Sequence, residues 1–155
     1  MADSDNRAKP SRQSRIAMDA REYFQRIVVP DYAHFQQSPS DIRLLFNALV
    51  SMNTVPEFLA LHRLGYAVDI SREELDEEVE TIRVDLCLTA LQFCTNMFKH
   101  VRLIPRRSSE FIASSTAVSP NDQGTWTVLG DDLVEVVHKA FATLKQEFDR
   151  LAASA

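Results

Sequence analysis

Apolar side chains recur at helical spacing along most of the chain, which predicts a series of amphipathic helices. The first pattern covers residues 16–35 and contains Pro30, which should kink or divide the helix because proline lacks a backbone N–H. A second apolar stripe follows Ser38, which we expect to cap a helix. Pro39 would take the first helical position, and Asp41 would return a bond to the cap.

The second stripe also contains signals for an interruption and an end. Pro56 lies inside it, so the segment up to Gly65 is either a separate short helix or a kinked continuation. Ser71 and Glu74 then form a capping box. The helix beginning there should reach about His100, which makes it roughly 30 residues and 45 Å long, the central helix of the domain. Its expected core face consists of Ile82, Leu86, Ala90, Phe93, Met97 and Val101.

The pattern changes after this long helix. Residues 111–118 and 125–129 are rich in β-branched and aromatic residues around the turn sequence SPNDQG, which predicts a small β-hairpin. Gly130 and Asp131 open a last helix, whose apolar stripe ends at Leu151. Together the elements predict an all-α fold, an antiparallel bundle of four to five helices with a small β-hairpin before the last helix.

The domain organisation follows from length and composition. Residues 1–14 are polar and almost free of large apolar groups, so the contacts formed on ordering them would offset little of the conformational entropy lost. We therefore expect a flexible N-terminal tail, followed by a single helical domain over residues 15–152.

The charge balance argues against a general nucleic-acid-binding protein. The formal net charge is −5 and the pI is near 5.3, whereas such proteins usually carry a basic excess. The acidic residues within 73–80 lie in the first turns of the predicted long helix, where the helix dipole favours carboxylates. One local basic cluster remains, formed by Lys99, Arg102, Arg106 and Arg107.

The cysteines, the histidines and the length of the apolar runs argue against a disulfide-bonded, a metal-binding and a membrane-spanning protein. Cys87 and Cys94 would lie about 10 Å apart on one helix, too far for a disulfide, so both are expected to be buried apolar residues. The histidines are scattered without metal-ligand spacing, and we expect neither a metal nor a cofactor. No apolar run approaches the roughly 20 residues of a membrane span, so the expected location is cytoplasmic, without membrane contact.

A polar stripe beside the predicted core face is the most informative feature of the sequence. At 100° per residue, five positions share one flank of the long helix: Asp85, Thr89, Gln92, Asn96 and His100. A solvated edge usually carries Lys and Glu, whereas these shorter groups suit a boundary with a neighbouring element or subunit.

Two interpretations of this stripe stay open. In the structural one, Asn96 and His100 bond to the hairpin or the last helix. In the catalytic one, His100 acts as a general acid or base, and Asn96 orients it or a phosphate. The basic cluster would then bind a phosphodiester, although the dipole at a helix C-terminus already accounts for Lys99 and Arg102.

The order of elements, with a helix ending in NMFKHVRL, a short hairpin and a final amphipathic helix, resembles the HEPN-like superfamily of small prokaryotic helical domains. The resemblance covers residues 16–151, and its local motif is Asn-x-x-Lys-His at residues 96–100. It implies a bacterial, dimeric bundle of four or five helices. Active members cleave RNA without metal, using an arginine, four to six further residues and a histidine. His100 matches the histidine, but residues 93–95 are Phe, Cys and Thr.

Three functions follow from these observations. The missing arginine favours a non-catalytic, homodimeric HEPN-like module for protein interaction or regulation, in a defence or toxin–antitoxin system. The second is a metal-independent ribonuclease or RNA-binding protein, with His100, Asn96, Lys99 and Arg102 paired across a two-fold axis. The third is a small-ligand-binding helical protein, in which Trp126 lines an apolar pocket between the long helix and the hairpin.

Overall fold

Helices account for most of the part of the chain that the structure describes, which confirms the predicted all-α class. The structure is a computed structural model that describes residues 18–67, 69–103, 118–120, 126–128 and 131–154, with the backbone alone for 99–103, 118–120, 126–128 and 131. In chain order the elements are α1 (Ala20–Tyr23), a π-helical segment (Phe24–Val28), α2 (Val29–Gln37), α3 (Ile42–Arg63), α4 (Arg72–Asp85), α5 (Thr89–Leu103), β1 (Val118–Pro120), β2 (Trp126–Val128), β3 (Asp131–Asp132) and α6 (Leu133–Ala153).

The central helix is α3, which contacts α1, α2, α4, α5 and α6. Ten of its 22 residues are buried, as expected for a helix that is apolar on several sides. The sequence assigns the central position to the segment after Ser71 instead, and this prediction is wrong. That segment begins with α4, an acidic helix that buries Val79 and Ile82 and leaves its charged side in solvent.

The predicted long helix is also wrong, because the chain leaves the helix at residues 86–88. Cys87 adopts a φ of +53°, in the left-handed region. The N–H groups of Cys87 and Leu88 donate to the carbonyls of Val84 and Arg83 at 3.1 and 2.8 Å. This pair of bonds forms a Schellman C-cap. The position usually carries glycine, so cysteine gave no stop signal in the sequence.

Neither proline breaks its helix. Pro56 lies inside α3, which stays continuous from Ile42 to Arg63. Pro30 occupies the second position of α2, directly after the π-helical segment. There the Val29 N–H donates to the Phe24 carbonyl, five residues back. A wider turn before Pro30 relieves the crowding between the proline ring and the preceding carbonyls.

The start of α3 differs from the prediction by three residues. The Asp41 carboxylate accepts a hydrogen bond from the Arg43 N–H at 2.9 Å and caps the helix. Ser38, the predicted cap, instead ends α2, and its carbonyl accepts from the Asp41 N–H at 2.9 Å. Asp41 lies closer to the first apolar helical residue, so it competes successfully with Ser38 for the cap position.

Other local signals are confirmed. Gly65 follows the end of α3 with a φ of +68°, which glycine adopts without steric cost. The Ser71 hydroxyl accepts from the Glu74 N–H at 3.1 Å and caps α4. The last helix begins one residue later than expected, because Asp132 caps it by accepting from the Val134 N–H at 2.8 Å.

Three short strands precede α6. β1 pairs antiparallel with β2, with Val118 opposite Val128, and β2 pairs antiparallel with β3, with Thr127 opposite Asp132. The predicted turn between the first two strands lies outside the described residues, as does the predicted tail at residues 1–14. The hairpin as a whole, the antiparallel bundle and the tail therefore stay predictions.

The described helices share a hydrophobic core. Its fully buried members include Val28, Leu49, Ile82, Leu91 and Leu144, from five different helical elements. Cys94 is buried in this core as predicted, whereas Cys87 at the break between α4 and α5 is exposed. α5 contacts α3, α6 and β1, and its residues Thr89, Ala90, Phe93 and Asn96 remain exposed.

Candidate functional site

The two sides of α5 differ in chemistry and in burial. Its buried side consists of Leu91, Cys94, Thr95 and Phe98. The Thr95 hydroxyl donates to the Leu91 carbonyl at 2.7 Å and lies 3.4 Å from the Leu49 carbonyl oxygen. Even the polar group on this side is therefore satisfied within the core.

The opposite side, which we call the α5 face, consists of Thr89, Ala90, Phe93, Asn96 and Met97. Phe93 is 43% exposed and Met97 is half-buried. The predicted core face is therefore wrong at Ala90 and Phe93, which are exposed, whereas Met97 packs partly against the core as predicted. The break at Cys87 resets the helical phase, so positions counted from α4 no longer indicate which side of α5 is buried.

The α5 face carries no charge. Residues 86–98 contain no Asp, Glu, Lys or Arg, although charged residues make up 25% of the chain. A helix face in water normally carries long charged side chains. A single exposed phenylalanine is common on protein surfaces, but Phe93 lies beside Ala90 and Met97 on a face without charges, and this combination favours a surface that contacts another molecule.

The predicted polar stripe is divided between two helices. Asp85 is the last residue of α4, and its carboxylate lies 3.9 Å from the Arg63 guanidinium. Thr89 and Asn96 are exposed on α5, and Gln92 is half-buried. The structure therefore does not place Asp85 on one flank with the α5 residues.

The remaining predicted site residues fall at or beyond the limit of the described side chains. The backbone places Lys99, His100 and Arg102 in the last turns of α5, and their side chains lie outside the described residues. Arg106 and Arg107 lie outside them entirely. Asn96 and His100 are one turn apart on α5, as the sequence indicates. Their catalytic role, and the phosphate-binding role of the basic residues, stay predictions.

The positions where an active HEPN-like ribonuclease would carry its arginine are residues 93–95. Phe93 reaches the surface, whereas Cys94 and Thr95 are fully buried. A cation at either buried position would have to displace core packing to reach a substrate. The position that is accessible carries an apolar ring, so none of the three supplies charge for a scissile phosphate.

Charged residues of α3, α4 and α6 lie near one another. The Arg63 guanidinium contacts Glu78 on α4 at 3.1 Å. On α6, the Arg150 guanidinium donates to both oxygens of Glu147 at 2.7 and 2.8 Å. The hydrogen bonds from Arg150 hold the pKa of the Glu147 carboxyl below its ordinary value, and the Arg63 charge acts in the same direction. The Arg63–Glu78 pair therefore links α3 to α4, whereas the Arg150–Glu147 pair lies within α6.

Two further classes of site bear on the predictions. Among the side chains that the structure describes, no group of three or more His, Cys, Asp or Glu could hold a metal ion.

α3 is long and apolar enough to cross a membrane by length and composition, and 56% of its most apolar window is buried inside the protein. The expected cytoplasmic location and absence of membrane contact stay predictions.

No protein-family model, curated protein or solved structure matches this chain. The fold places it among predominantly helical proteins.

Proposed function

We propose that this chain is a non-catalytic helical interaction module that pairs with a second copy of itself through the α5 face. The observation that carries the proposal is the uncharged run at residues 86–98, with Phe93 43% exposed in its middle. Aromatic side chains near the centre of an interface commonly supply most of the binding free energy.

The charge of the chain favours a second copy at this face. Two copies with a formal net charge of −5 repel one another, and the repulsion is smallest where the contacting residues are uncharged. In a two-fold symmetric dimer each residue meets the same surface patch on the other copy, so a face of a single charge sign would place like charges together. The α5 face avoids this cost.

The HEPN-like resemblance supports both parts of the proposal. Members of that superfamily are commonly dimeric, and the absence of the arginine at residues 93–95 favours a module without catalysis. A histidine without a fixed cation lacks the group that would orient and neutralise a phosphate. We extend the proposal to a regulatory role in a defence or toxin–antitoxin system.

Sedimentation velocity over a range of protein concentrations tests the proposal. The monomer mass is 17.6 kDa, and we expect the weight-average mass to rise towards twice this value as concentration increases. A mass that stays at the monomer value at every concentration would contradict self-association.

A further inference from the structure

A second surface, remote in sequence from the α5 face, has the form of a ligand site. A cleft of about 590 Å³ lies between the end of α3, the connection that follows it and α4. Its apolar walls include Leu61, Ile70, Leu75 and Val79. Pockets for small molecules commonly have volumes of roughly 300–1,000 Å³ and mainly apolar walls with a few polar groups.

Two polar atoms of residues that line this cleft have no hydrogen-bond partner among the described residues. They are the Tyr66 hydroxyl and the Arg83 Nε, and both are buried. Among the described residues, the carboxylate recorded beside Arg83 belongs to Glu80 and lies 3.8 Å from its Nη1 atom, beyond hydrogen-bond distance. A buried donor without a partner costs free energy, which an acceptor on a ligand would recover.

The other charged groups at the cleft are paired or solvated. Arg72 and Asp76 lie 3.5 Å apart and are largely exposed, and Glu57 is exposed on α3. Water screens charges in such positions. Arg83 lies near Glu80 as well, but its side chain is only 13% exposed and its Nε has no hydrogen-bond partner among the described residues. Its guanidinium is therefore the charged group at this cleft with a buried donor left for a ligand.

We propose that the cleft binds a small carboxylic acid with an apolar body. The carboxylate accepts hydrogen bonds from the Arg83 guanidinium and the Tyr66 hydroxyl, and the apolar body lies along Leu75 and Val79. Guanidinium and carboxylate match in geometry, since the arginine fork presents two parallel N–H donors. The site does not use α5, so it stands whether or not the chain dimerises.

Isothermal titration calorimetry with octanoate as the probe tests this site, with octanol as the control for the apolar body alone. We expect octanoate to bind the wild-type chain at least about tenfold more tightly than octanol, because a charge-assisted hydrogen bond contributes that much or more. Equal binding of the two probes, or no octanoate binding, would overturn the proposal.

Arg83→Met tests whether octanoate binds at the cleft, since methionine keeps an apolar stem and removes the guanidinium. We expect this variant to fold and to bind octanoate at least about tenfold more weakly. Arg43→Met is the matched control, because Arg43 is 79% exposed at the opposite end of α3. Octanoate binding that is unchanged by Arg83→Met would overturn the proposal.

Tyr66→Phe provides an independent test if Arg83→Met fails to fold. It removes one hydroxyl and keeps the ring, so a weaker affinity for octanoate with unchanged octanol binding supports the site. Unchanged affinity for octanoate would remove Tyr66 from the site and overturn the proposal as stated.

Discussion

Tyr32 and His138 join the first and last parts of the described chain. The Tyr32 hydroxyl lies 2.6 Å from His138 Nδ1, and the Tyr32 ring stacks on Phe141 with 3.7 Å between ring centroids. Burial of the ring raises the pKa of the Tyr32 hydroxyl above its ordinary value. The hydroxyl therefore stays protonated near neutral pH, and in that state it can donate to His138.

Tyr32→Phe should lower the free energy of unfolding by about 1 kcal/mol, because it removes this hydrogen bond and keeps the stacked ring. Urea denaturation of the two proteins measures the difference. Tyr66→Phe is the matched control, since the Tyr66 hydroxyl has no partner among the described residues. Equal losses in both variants would show that the Tyr32 bond contributes nothing specific.

Glu147→Gln should make stability less dependent on pH in the acid range. The pKa of the Glu147 carboxyl is lowered by its bonds to Arg150. Its contribution is therefore present above the ordinary glutamate pKa and is lost as pH falls through the folded-state pKa. We expect a loss of about 1–2 kcal/mol at neutral pH that shrinks in acid, measured by urea denaturation at several pH values.

Glu135→Gln is the control for this pH dependence, because Glu135 pairs with Lys139 on the same helix but is exposed. Water screens the exposed pair, so its removal should have a much smaller effect. A constant difference between wild type and Glu147→Gln from neutral to acid pH would contradict the assignment.

Cys87→Gly should stabilise the chain by about 1 kcal/mol, because glycine adopts the left-handed conformation of Cys87 at no steric cost. Cys87→Val should destabilise it, since a β-branched residue fits that conformation poorly. Thermal unfolding of the three proteins measures both changes. The same sign of change for both substitutions would count against a strained C-cap at this position.

The break at Cys87 also shows which helix ends the sequence predicts and which it does not. The Ser71 side chain caps a helix, and the absence of a side chain at Gly65 permits a positive φ. Both residues therefore determine the backbone locally, and the start of α4 and the end of α3 were predicted correctly. Cys87 has no such property. Its conformation is set by the two hydrogen bonds that close the C-cap. Because the sequence does not indicate this break, it predicts Phe93 in the core, whereas Phe93 is exposed.

Contacts between distant residues lie beyond sequence patterns for a different reason. Tyr32 and His138 are 106 positions apart, and Arg63 meets Glu78 only because α3 and α4 pack together. The buried Arg83 Nε, which has no hydrogen-bond partner among the described residues, likewise has no signal in the sequence, because a helical arginine is ordinarily solvated. Such groups become visible only when the helices are placed in space.

Metal-free incubation with a mixed RNA pool tests the absence of catalysis. We expect no cleavage by the wild-type chain or by His100→Ala, because residues 93–95 supply no cation. Cleavage by the wild type that disappears in a folded His100→Ala variant would restore the ribonuclease interpretation of Asn96 and His100.

Phe93→Glu tests the central proposal most directly, through the dimer dissociation constant measured by sedimentation equilibrium. Val84→Glu is the matched control, because Val84 is 61% exposed on α4, outside the α5 face. We expect Phe93→Glu to weaken self-association at least about tenfold by placing a desolvated charge in the interface, and Val84→Glu to associate like the wild type. Wild-type association by a folded Phe93→Glu variant would contradict pairing through the α5 face.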